Sequence, residues 1–150
     1  MAIFMIVLGV LLWVNVAAAA EVVDVALAAG VSEREPVGAF TPPATCQTST
    51  PPAYRVPVVD SQAYQGVYVW TKIAASQARE IHHRYYAETE EGFTVVANVV
   101  LSVDPAVGYR TWSAKSISPR SLLHQGTWKV DVVETGDADR VLCTIYFNVE

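Results

Sequence analysis

The residues with the richest chemistry are His82 and His83, adjacent in the run Glu80-Ile-His-His-Arg-Tyr-Tyr86. Neighbouring side chains on an extended strand point to opposite faces. The two imidazoles therefore cannot ligate one metal together without distortion. If Ile81, His83 and Tyr85 face inward, then His82 and Arg84 face solvent with Tyr86 beside them. A metal would need further ligands from Glu80, His124 or the acidic turn Asp137-Ala-Asp139, and no spacing requires any of them. Satisfied structural histidines are the simpler reading. Neither a metal nor a cofactor is expected.

A nucleophile is no easier to find. Ser113 lies in Arg110-Thr-Trp-Ser-Ala-Lys115, without the Gly-x-Ser-x-Gly of a nucleophile elbow, and there is no His-Glu-x-x-His and no Gly-rich phosphate loop. Arg110 offers a bidentate grip for a carboxylate, and Lys115 a point charge. An odd separation sets them on opposite faces of a regular strand, which weakens a shared anion pocket. A structural pair between Arg110 and Glu80 or Glu88 is equally economical.

Aromatic rings beside cations are the remaining signal. Tyr68 and Trp70 share a strand face with Lys72, and Arg110 shares another with Trp112. Such rings stack on ligands and make cation–π contacts, but they also pack across strands. Trp128 alternates with Val130 and Val132 and reads as core. Trp70, His82, Tyr86, Arg110 and Trp112 are therefore the candidate ligand-binding residues, with no catalytic residue among them.

The elements that would hold these residues are strands. Segments 21–28, 67–75, 80–88, 93–103, 107–115, 126–134 and 140–149 are β-rich and bounded by turn signals such as Glu91-Gly92, Asp104-Pro105 and Gly136-Asp137. Period-two alternation sets Phe93, Val95, Ala97, Val99, Leu101 and Val103 on one face. Cys143, Ile145, Phe147 and Val149 form another. No stretch after residue 20 keeps a helical period. About seven strands at this spacing predict an all-β fold, an immunoglobulin-like antiparallel two-sheet sandwich. Residues 39–65 break the pattern with Pro42, Pro43, Pro51, Pro52 and Pro57, which forbid a central strand and predict a long Pro/Thr-rich loop or linker.

Residues 1–20 carry no charged side chain, and only Asn15 interrupts their apolar run. Ala18-Ala19-Ala20 before Glu21 is a small-residue cleavage pattern, so the segment reads as a signal peptide. It lacks a basic start, and its length also suits an uncleaved membrane anchor. Either way the remaining single domain, 21–150, is expected to be extracytoplasmic, periplasmic or secreted. The membrane is touched only through that segment. The chain's formal net charge of −5 argues against a nucleic-acid partner. Two cysteines, Cys46 and Cys143, permit one disulfide in an oxidising compartment, with two unpaired thiols as the alternative.

Several strands taken together resemble a bacterial family of domains of unknown function, family twenty-nine fourteen. The segments that carry the likeness are Val69-Trp-Thr-Lys72, Ile81-His-His-Arg-Tyr-Tyr86, Tyr109-Arg-Thr-Trp-Ser-Ala-Lys115, Gly126-Thr-Trp-Lys-Val-Asp-Val132 and Phe147-Asn-Val149. Arg-Thr-Trp-Ser-x-Lys is the most specific of them. The Gly30–Pro36 stretch is similar to the family's opening segment, and the likeness runs from Val22 to the end apart from the Pro-rich loop. Tyr85 and Tyr109 stand where the family pattern has Trp. The resemblance implies an extracytoplasmic β-sandwich and no established activity. The expected function is a non-enzymatic binding or interaction module of the envelope, whose partner is an envelope protein or a cell-wall glycan. Its alternatives are a carbohydrate- or peptidoglycan-binding accessory domain and an enzyme of unrecognised type.

Overall fold

The computed structural model describes residues 17–47, 55–118 and 125–150. Most of the apolar N-terminal segment and His124 lie outside the described residues. Nine strands form among them: β1 (Glu21–Ser32), β2 (Glu35–Ala39), β3 (Val58–Val59), β4 (Gly66–Ala75), β5 (Arg79–Thr89), β6 (Gly92–Val103), β7 (Ala106–Ser116), β8 (Gly126–Glu134) and β9 (Arg140–Val149). They build two sheets, one ordered β2-β1-β4-β7 and the other β3-β9-β8-β5-β6. The hairpin β5–β6 is followed by a crossing to β7 and a return to β8. That connectivity is the Greek-key arrangement of an immunoglobulin-like sandwich.

The core follows from alternation. Val67, Val69 and Ile73 of β4 face Ile81 and Tyr85 of β5, Trp128, Val130 and Val132 of β8, and Cys143, Ile145, Phe147 and Val149 of β9, all buried. Trp128 stacks on Phe147 with ring centroids 5.8 Å apart. Sheet faces packed this way exclude water from both inner layers.

Two of the nine strands lie in segments that the alternation leaves as turn and loop. The hairpin β1–β2 closes with a two-residue turn, since Ser32 pairs with Glu35. Glu33 and Arg34 both take positive φ, 50° and 65°. A tight hairpin needs that handedness, but Asn-Gly is its usual signature. Glu-Arg does not advertise it.

Strand β3 sits inside the Pro-rich region and runs parallel to the end of β9, so the sandwich is not wholly antiparallel. It is a two-residue edge strand, the only kind prolines tolerate. The described parts of 39–65 form a strap rather than a linker. Gln47 exchanges both backbone hydrogen bonds with Thr144, at 2.8 and 2.9 Å. Asn148 and Glu150 donate to Pro57 and Val59. Cys46 is disulfide-bonded to Cys143, with Cα atoms 5.2 Å apart. The strap thus satisfies backbone groups of β9 that would otherwise form an open sheet edge.

A bulge corrects the expected face of β6. Tyr85 pairs with Ala97 but Tyr86 pairs with Val95, so Val96 is the extra residue. One inserted residue inverts the facing of everything on one side of it. Ala97, Val99, Leu101 and Val103 stay with the inner face. Phe93 and Val95 go to the outer face beside Tyr86, not to the inner face that strict alternation predicts.

Candidate functional site

Three groups of chemically capable side chains emerge. The first is interior. His83 is fully buried on the inner face of β5, as strand parity requires once Ile81 faces the core. Its Nδ1 lies 2.7 Å from Ser113 Oγ, and Ser113 Oγ lies 2.7 Å from the Tyr85 hydroxyl. Its Nε2 lies 3.3 Å from Thr71 Oγ1, and that hydroxyl donates to the Thr111 carbonyl at 3.4 Å. One proton assignment makes every one of these bonds. Because Thr71 donates to Thr111, it accepts from His83 Nε2–H. Nδ1 then accepts from Ser113, which accepts from Tyr85. The chain of hydrogen bonds joins the two sheets across the core.

This interior group contains a Ser–His contact, which the sequence did not indicate because Ser113 and His83 are thirty residues apart. The signal available was polar residues at inward positions: Thr71 between Val69 and Ile73, and Ser113 in phase with Thr111. The contact differs from an activated nucleophile in two ways. A hydroxyl, Thr71, occupies the place of the orienting carboxylate. All four polar side chains are also closed off from solvent. Burial pulls the His83 pKa down from 6.5 to about 3, so the imidazole is neutral. Burial likewise pushes the Tyr85 phenol well above its ordinary value.

The second group lies on the outer face of the five-stranded sheet. His82 sits between Glu80 Oε1 at 2.8 Å and Asn98 Oδ1 at 3.1 Å. Its hydrogen bond, followed by that of Thr135, holds the Glu80 carboxyl below the usual carboxylate range. Arg84 pairs with Asp139 at 2.7 Å, so the Asp137–Asp139 turn is engaged by a cation of its own chain. Tyr86 carries Lys129 over its ring, 4.4 Å from the centroid, with Phe93 on the other side at 5.4 Å. Lys129 also meets the buried Asp131 at 3.2 Å, and Thr144 donates to Asp131 at 2.7 Å. Among the described residues no group of three or more His, Cys, Asp or Glu is placed to hold a metal ion.

The third group lies on the outer face of the four-stranded sheet, on the opposite side of the molecule. Trp70 pairs directly with Trp112, and Lys72 with Arg110. All four therefore share one face, which the separate strands could not reveal. Their environments differ sharply. Trp112 is 37% exposed, whereas Trp70 is 3% exposed. The tip of the β1–β2 hairpin curls over Trp70, and its indole Nε1–H donates to the Arg34 carbonyl at 2.8 Å. Arg34 in turn donates to the Arg110 carbonyl at 3.0 Å and lies over the Tyr109 ring at 5.4 Å. The partner of Arg110 is Glu35 at 2.9 Å, not Glu80 or Glu88, which belong to the other sheet. Gly108 lies on this face too, where a Cβ would stand 2.6 Å from Lys72 Cε. The lysine stem needs that bare backbone. Lys115, as its odd separation from Arg110 requires, turns the other way and lies 6.0 Å from the Trp128 ring.

Trp70 and Trp112 therefore do not form an open two-ring platform. Trp70 holds the hairpin. Replacing Trp70 with Phe leaves the Arg34 carbonyl without its donor, and is expected to cost about 1–2 kcal/mol in urea unfolding. An unchanged midpoint would show that the hairpin contact contributes nothing.

Among the described residues, surface clefts of about 650, 480 and 540 Å³ occur near the strap, near the β6–β7 turn and between the start of β1, Cys46 and β9. None of these is lined by Trp70, His82, His83, Tyr86, Arg110 or Trp112.

These features define a class: a disulfide-bonded immunoglobulin-like sandwich whose histidine–hydroxyl network is internal, with Tyr86–Lys129 on one outer face and Trp112–Arg110 on the other. Residues 78–149 match the family model described as protein of unknown function (DUF2914). The matched stretch takes in β5 to β9, and so His82, Tyr86, Arg110, Trp112 and the Arg-Thr-Trp-Ser-x-Lys strand. Strands β1 to β4, with Trp70 and the Arg-Glu-Pro hairpin, precede it. No curated protein matches the chain.

Proposed function

We propose that this chain is a non-enzymatic binding module of the cell envelope, whose contact surface is the outer face of the four-stranded sheet. The observation that carries the proposal is Trp112. A Trp ring more than one-third exposed on a sheet face, with Arg110 two residues away and Lys72 across from Arg110, is the kind of residue that dominates protein interfaces. A buried His83 with only hydroxyl partners supports a structural rather than a catalytic role for its contact with Ser113. The export character of residues 1–20 supports an extracytoplasmic setting.

The test compares the full chain with its Trp112→Ala and Arg110→Ala variants, immobilised and exposed to envelope extract and, separately, to purified peptidoglycan. Trp112 is partly covered and Arg110 pairs with Glu35, so urea unfolding of each variant is measured alongside to show that it still folds. Binding that falls at least tenfold in both variants supports the reading (about 1.4 kcal/mol or more). Loss on peptidoglycan alone assigns the surface to a glycan, with Trp112 as the stacking ring. Equal retention by all three proteins sinks it.

A further inference from the structure

The four sheet edges are not treated alike. Strand β2, at one edge of the four-stranded sheet, is five residues long and contains Glu35 and Pro36. Strand β7, at its other edge, carries Arg110 and Lys115, and Arg34 occupies the Arg110 carbonyl. In the five-stranded sheet, β9 is covered by the strap and the two-residue β3. Shortness, charge, proline and coverage are the devices that stop sheet edges from pairing with other chains.

Strand β6 has almost none of them. It is last in its sheet, and among the described residues it pairs only with β5. Its twelve residues, Gly-Phe-Thr-Val-Val-Ala-Asn-Val-Val-Leu-Ser-Val, include no charged residue and no proline. The bulge at Val96 is its single interruption, and Ala97–Val103 beyond it is a regular, neutral run. Val100 is 54% exposed in the middle of that run.

We infer that β6 pairs with the β6 strand of a second copy of this chain, antiparallel and about a two-fold axis at Val100. The run is complementary to itself in that register. Val100 meets Val100 of the second copy, Val99 meets Leu101, Ala97 meets Val103, and Asn98 meets Ser102. Half-buried Val99 and Leu101, at the margin of the core, would be covered by their counterparts. Apolar pairs fill the centre, an amide faces a hydroxyl at each flank, and no like charges oppose one another. An isologous contact of this kind closes on itself, so the product is a dimer and not a filament. Neutrality favours self-pairing over a charged partner strand, because a chain of net charge −5 has here a long stretch without charge repulsion.

The experiment measures the mass of the full chain by sedimentation equilibrium. The parent is expected to dimerise, and Val100→Lys, which sets two cations face to face, is expected to weaken the dimer on the order of tenfold or more. Because Val100 is outward-facing, thermal unfolding of the variant reports separately that it still folds. A second measurement uses Val100→Cys, whose thiol is the only free one since Cys46 and Cys143 are joined. It should form a covalent dimer on mild oxidation much faster than Val141→Cys, at an equally exposed position on β9. A monomeric parent, whether bare at β6 or holding another protein's strand there, overturns the proposal. So does a dimer that Val100→Lys leaves unchanged, or equal cross-linking of the two cysteine variants.

Discussion

Acidification from pH 6.5 towards pH 3 is expected to remove several kcal/mol of folding stability through His83 alone. Inside the sandwich the imidazole stays neutral down to about pH 3, because burial disfavours its charged form. In the unfolded chain it protonates near its ordinary value of 6.5. Between these values the unfolded state holds one proton more than the folded state. Stability therefore rises with pH across that window, by about 1.4 kcal/mol per unit, and the contribution is complete above pH 6.5. Protonation would also break the network, since Nδ1 could no longer accept from Ser113.

The check is urea unfolding of the parent and of His83→Gln at pH 7, 6, 5 and 4. At pH 7 the variant is expected to be less stable, because Ser113 and Thr71 lose well-placed partners. The gap should narrow steadily as pH falls, since Gln does not titrate. Carboxylates protonate alike in both proteins, so the difference isolates His83. Parallel pH profiles would mean that the imidazole is not held neutral.

Loss of the Cys46–Cys143 bond is expected to cost about 2–4 kcal/mol. The cysteines are 97 residues apart in sequence, so the bond closes a long loop and restricts the unfolded chain strongly. It also anchors the strap. Cys46 precedes Gln47, whose two backbone bonds to Thr144 hold the strap against β9. Reduction should therefore lower the unfolding midpoint and also speed amide exchange at Thr144, Asn148 and Glu150, which donate to the strap. Cys46→Ala is the cleaner variant, because Cys46 is exposed, whereas a Cys143→Ser change would put an unpaired hydroxyl into the core. An unfolding midpoint indifferent to reductant would rule out a stabilising bond.

The two effects differ in their conditions. The disulfide persists only where thiols are oxidised. The histidine network persists at neutral pH in any compartment. The domain is accordingly expected to be most stable in an oxidising, neutral setting, which accords with the proposed extracytoplasmic location.

Much of the fold was legible because strand faces are a local property. Runs of β-rich sequence between turn signals indicate seven strands. Alternation sets Ile81, His83 and Tyr85 on one face, His82 and Arg84 on the other, and Trp128 in phase with Val130 and Val132. It also sets Cys143 inward with Ile145, Phe147 and Val149. Each of these needs only the two-residue period of an extended backbone. The turns that bound them are spelled in Gly, Pro and Asp, whose preferences are equally local.

What the histidines and the aromatic rings beside cations do was decided elsewhere. The sequence determined that the adjacent His82 and His83 point to opposite faces and that Trp70 and Trp112 stand on separate strands. Only tertiary structure aligned Trp70 with Trp112, then buried one under a hairpin and left the other open. Only it supplied Ser113 and Thr71 as the partners of His83, and Glu35 as the partner of Arg110. The bulge at Val96, which turns Phe93 and Val95 outward, is likewise set by how β6 fits against β5. The physical reason is the same throughout. A strand's own residues specify which way each side chain points, but partners arrive from strands tens of residues away, through registers and curls that no local pattern encodes.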